Sequence, residues 1–171
     1  CNQYLAMAGD TDATMSAEIR FVRALHYFLL MDGWGNIPFT LEPMTKPEQR
    51  SRAQMYEWLE QELIGIEPAL SEAKAKKSTD AGYGRVDKAA CWLLLSRLYL
   101  NSEIYTGTAQ WQKAKEYADK VIKSSYRLNT VGKGGWTAYQ MLFMGDNGET
   151  DAAYEALLPL LQDGLTTTSW G

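Results

Sequence analysis

The sequence predicts an all-α fold of helical hairpins joined by irregular loops. Two observations carry this. Apolar residues recur at helical spacing in four separate segments, and one of those segments is apolar on nearly every side, as a helix enclosed by others must be.

The first helix is expected over 13–31, where Ile19, Phe21, Val22, Leu25, Phe28 and Leu29 include an i, i+3, i+4, i+7 face and Glu18, Arg20 and Arg23 supply polar positions. Gly33 and Gly35 break propagation, and Pro38 biases Ile37 towards an extended conformation, so a loop follows. A second helix is expected over 53–74. Ser51 stands three residues before Gln54 in a capping-box pattern, and Met55, Leu59, Leu63, Ile66 and Leu70 follow at helical intervals. The lysines at 74, 76 and 77 read as a solvated helix end and loop.

The third helix, 86–101, is the enclosed one. The fourth, 111–123, carries an amphipathic stripe of Trp111, Ala114, Ala118, Val121 and Ile122. These two make an αα-hairpin with small alanines at the facing positions, which is tetratricopeptide-like, and the first two make a second hairpin with a longer connection. Residues 124–171 are expected to be loop-rich, with a short helix at 137–144, while Pro159 opposes a long helix further on.

The chain has 171 residues, 46% hydrophobic and 22% charged, enough to bury one globular core. Its formal net charge of -4 opposes a nucleic-acid surface, which needs clustered Lys and Arg. Nothing approaches the roughly 20 consecutive apolar residues of a spanning helix. The two cysteines, Cys1 and Cys91, have no metal-ligand spacing, and Cys91 reads as a buried thiol. Ten Tyr and six Trp are generous for a helical chain and suit either a core or sugar-stacking platforms.

No catalytic constellation appears. His26 stands without a second metal ligand and reads as a hydrogen-bonded core histidine. Gly132-Lys133-Gly134-Gly135 lacks phosphate-loop spacing, and there is no nucleophile elbow or zinc-protease motif. The oxygen-rich run Asp146 to Asp151 lacks EF-hand spacing and reads as an Asn-Gly turn. No metal and no cofactor are expected.

Three stretches then carry a family resemblance: Ala17-EIRFVRALHYFLLMDGWGNIPF-Thr40, Gly84-RVDKAACWLLLSRLYLNSEIYTG-Thr108, and Trp111 through Leu128. An E-x-R-F-x-R-A-L helix, a G-N-I-P loop and a G-R-x-x-K-A-A helix in that order resemble the helical core of the SusD-like (RagB/SusD) family. Weaker matches at both ends extend the likeness over nearly the whole chain. Arg20, Arg23, Gly33, Gly35, Ala89 and Ala90 are read as fold residues, with at least one arginine bridging to a neighbouring helix.

The resemblance implies that residues 1–171 are part of a larger SusD-like fold, beginning and ending in mid-domain. The lipid-bearing cysteine of the family lies well upstream of the first helix, so lipidation is not carried over to Cys1. What it implies about function is a non-catalytic, surface-exposed lipoprotein of the outer membrane. Such a protein binds oligosaccharide or polysaccharide and delivers it to a TonB-dependent (SusC-like) transporter, touching the membrane only through a lipid anchor outside this stretch. In the family's starch-binding prototype an aromatic residue that holds sugar follows a segment similar to 158–165, and the matching position here is Trp170. Two rival readings are a tetratricopeptide-type protein-interaction scaffold and a glycan-processing enzyme with two acidic groups across a cleft.

Overall fold

The structure is a computed structural model and describes residues 1–9 and 11–162. Seven α-helices and one two-stranded antiparallel sheet are present among them: α1 Asn2–Ala8, α2 Ala13–Trp34, β1 Ile37–Phe39, β2 Glu48–Arg50, α3 Arg52–Ile66, α4 Lys88–Leu100, α5 Ser102–Thr106, α6 Trp111–Ile122 and α7 Ala138–Met141. The fold is all-α, as the periodicity predicts. No helix among the described residues is long and apolar enough to cross a membrane.

Helix α2 starts at Asp12, whose carboxylate accepts from the Met15 amide at 3.0 Å. It runs three residues past its expected end, because Gly33 stays helical and the break falls at Gly35, with φ at 78°. The Gly35 amide donates to the Met31 carbonyl, and a Cβ at Gly35 would sit 3.2 Å from the Arg52 guanidinium. Extended chain follows, and Ile37 and Phe39 of β1 turn inward while Pro38 faces out.

The capping box at the start of α3 is present. The Gln54 amide donates to Ser51 Oγ at 3.3 Å, and the Ser51 amide donates to Gln54 Oε1 at 2.9 Å. The helix expected over 53–74 nevertheless ends at Ile66 and tightens into a 3₁₀ turn over Glu67–Ala69. Pro68 explains the correction, since it has no N–H to continue the ladder and its ring crowds the preceding turn. The stripe itself is intact: Met55, Leu59, Leu63, Ile66 and Leu70 are all buried.

The core lies between α2, α3 and α4, built from Phe21, Phe28, Met31, the α3 stripe, and Leu94, Leu95 and Leu98 of α4. Each such side chain contributes roughly 1.5–3 kcal/mol on burial. Helices α4 and α6 form the expected hairpin. Ala90 and Ala114 are both buried, and Ser96 Oγ donates to the Ala114 carbonyl at 2.8 Å. Helix α5 and Gly107, at φ 79°, make the turn between them.

Two sequence expectations fail on burial. In α6 only Ala114 is buried, while Trp111 is 61% exposed and Ile122 74% exposed, because this helix packs chiefly along one line against α4 and, among the described residues, no element covers its outer face. His26 is also exposed rather than in the core, and its Nδ1 lies 2.7 Å from the Val22 carbonyl one turn back. The core-facing line of α2 is Ala17, Phe21, Ala24, Phe28 and Met31, which leaves position 26 on the outer side.

Two charge clusters tie the helices together. Glu62 of α3 is almost wholly buried and receives Arg20 Nε at 2.9 Å, Arg20 Nη2 at 2.6 Å and Arg23 Nη2 at 2.8 Å from α2. Both arginines therefore bridge helices, as fold residues. Glu18 of α2 likewise receives Arg85 Nη2 at 2.5 Å, from the loop before α4.

Candidate functional site

Residues 124–162 are held by caps and clamps rather than by long helices. Thr137 caps α7 with a second capping box through Gln140, and Thr150 Oγ1 accepts from the Ala152 amide to start a 3₁₀ turn over Asp151–Glu155. Between them Asn147 Nδ2 donates to the Leu142 carbonyl at 2.8 Å, and the Glu149 amide donates to the Asp146 carbonyl at 2.9 Å. The oxygen-rich run at Asp146 is therefore the Asn-Gly turn that its composition predicts.

Charge fastens these loops to the helical body. Lys77 Nζ lies 3.0 Å from Asp151, and Arg127 approaches the same carboxylate at 3.4 Å. The hydrogen bond from Lys77 holds the Asp151 carboxyl below its ordinary range. The Arg127 guanidinium stacks over Tyr154 at 4.2 Å, with Lys77 Nζ 5.2 Å from the same ring. The Asn129 amide donates to Glu155 at 2.9 Å.

A groove of about 800 Å³ opens where these loops meet the segment before α4. Its polar lining comes from Ser78, Tyr83, Asn147, Glu149, Glu155 and Gln162, and its apolar lining from Leu142, Ala152, Ala153, Pro159 and Leu160. Gly148 makes the approach possible: a Cβ there would stand 3.1 Å from Tyr83 Oη and 3.3 Å from the Ser78 side chain. Carboxamide, carboxylate and hydroxyl groups beside apolar surface are the mixture that a polyhydroxylated ligand needs.

Trp170, singled out from the sequence, lies outside the described residues. The groove residues come from four separated segments. In sequence, Asn147 and Glu149 read only as a turn, and neither Tyr83 nor Gln162 carries a binding signal. The one local signal is Asn147-Gly148, a dipeptide that forms tight turns and admits close neighbours.

No family model matches the chain. In an alignment of 168 positions that covers 95% of the chain, it is 42% identical to the starch-binding protein SusD of Bacteroides thetaiotaomicron. The chain resembles SusD over this stretch. It spans only 28% of that relative's length.

Solved structures agree with the SusD-like assignment. Surface glycan-binding protein A from Bacteroides uniformis matches at 28% identity with a TM-score of 0.60, over 75% of this chain and 30% of that one. A SusD-like carbohydrate-binding protein from Bacteroides fragilis shares the fold at 22% identity and a TM-score of 0.64, over 77% of this chain and 26% of its own. The chain therefore spans about a quarter to a third of each relative's length.

Proposed function

We propose that residues 1–171 form part of a larger SusD-like protein that binds oligosaccharide or polysaccharide at the cell surface without chemical change and delivers it to a TonB-dependent, SusC-like transporter. The observation that carries this is the 42% identity to a starch-binding protein across almost the whole chain. The protein is an outer-membrane lipoprotein in this reading, anchored through a lipid outside this stretch. Trp170 is the sugar-stacking residue in this reading, since an indole suits the C–H face of a pyranose, and the Asn147 groove is a separate candidate for binding hydroxyls.

A glycan-binding screen on wild type and Trp170→Ala, matched for helical content, tests the proposal. The variant is expected to bind at least about tenfold more weakly, the ~1.4 kcal/mol scale of an aromatic contact at a binding hot spot. Unchanged affinity removes Trp170 from the site. Failure of the wild type to bind any glycan removes the function and favours a protein-interaction scaffold.

A further inference from the structure

A second groove, of about 450 Å³, lies between β2 and the first turns of α3 and shares no residue with the groove at Asn147. Helix α3 presents Gln54, Glu57, Trp58 and Gln61 to it, at i, i+3, i+4 and i+7 spacing, one face two turns or roughly 10 Å long. Glu48, Gln49 and Arg50 of β2 line the opposite side.

We propose that this groove is a second carbohydrate subsite for a short run of neutral hexose units, an inference that rests on the glycan-binding reading above. Its aromatic member is held rigidly. Trp58 is half-buried and wedged edge-on against Tyr27 at 5.4 Å and Phe39 at 4.9 Å, so the ring is fixed before any ligand arrives. The Arg50 guanidinium lies 4.1 Å over the other partner of that cluster, Phe39, and is likewise positioned. Gln54 accepts from the Ser51 amide through Oε1, which leaves its NH₂ group as an oriented donor.

Donors and acceptors thus line one groove together with an aromatic ring, which matches hydroxyls that both give and accept hydrogen bonds. Among the described residues the charged members keep their charges unpaired, since none of the ion pairs involves Glu48, Arg50 or Glu57. Two carboxylates against one guanidinium disfavour an anionic ligand, and the polar lining disfavours an apolar peptide. A charged edge strand would suffice to block strand pairing, but that role calls for neither the concavity nor the rigid indole.

Side-chain NMR of the whole chain, titrated separately with a maltooligosaccharide and a laminarin oligosaccharide, decides the matter. The Trp58 indole N–H and the Gln49 and Gln61 amides are expected to shift saturably with one of these probes. The shifts should persist in Trp170→Ala and weaken at least fivefold in the double variant Glu57→Ala/Gln61→Ala, whose exposed side chains leave the core untouched. Shifts confined to the Asn147 groove and Trp170, or a Trp58 shift that the double variant does not weaken, overturn the second subsite alone. No shift anywhere with either probe overturns it together with the glycan-binding reading.

Discussion

Glu62 shows how a single carboxylate fixes the relation of two helices. Burial raises its pKa, but the hydrogen bonds from Arg20 and Arg23 outweigh that and hold the carboxyl below its usual 4.5. A depressed folded-state pKa gives stability that is complete above the unfolded value and is lost as pH falls through the folded one. Glu62→Gln should therefore flatten the acid limb of a stability-versus-pH curve, and an unchanged limb would show that the pair contributes nothing there. Glu62→Ala should destabilise by about 3 kcal/mol in chemical denaturation, the low end for a broken buried pair because Arg20 is partly solvated. Cys91 makes the opposite case. Burial pushes its thiol up to about 12, so native protein should react with a thiol reagent at exposed Cys1 only, and Cys91 only on unfolding. Rapid labelling of both thiols in the native state would contradict its place in the core.

At the level of elements, Asp87 decides where α4 begins and what lies over its start. Its Oδ1 accepts from the Ala89 and Ala90 amides at 2.8 and 3.2 Å, and its Oδ2 from the Lys74 amide at 3.1 Å and Tyr126 Oη at 2.8 Å. One side chain caps the helix and pins two loops. Asp87→Ala should cost about 2–3 kcal/mol, a cap plus buried donors left unpaired, and lower Tm by roughly 4–10 °C for a chain of this size. A drop smaller than ~2 °C would mean that water replaces the carboxylate. Much of this was legible: the Ser51–Gln54 box, the α3 stripe and the αα-hairpin are local patterns, and local patterns survive in sequence. The two misplaced helix ends were local failures. Pro68 lay inside an apolar period that outran it, and Gly33 looked like a stop although only Gly35 has the positive φ that ends the helix.

For the whole molecule, the Asn147 groove exists because Lys77, Arg127, Tyr154 and Asp151 clamp late loops onto early ones. A binding role without catalysis predicts that the protein, incubated with oligosaccharides, releases no new reducing ends. Release above a boiled control would replace it with glycan processing. Sequence alone determined the helical class, the main helices and the SusD-like character, since periodicity, capping residues and motif order are written along the chain. Only the tertiary structure decided that His26, Trp111 and Ile122 face outward, that Tyr83 meets Gly148, and that Trp58 lines a groove beside Arg50. A sequence stripe marks which side chains prefer burial, but burial requires a neighbour, and neighbours distant in sequence are placed by packing.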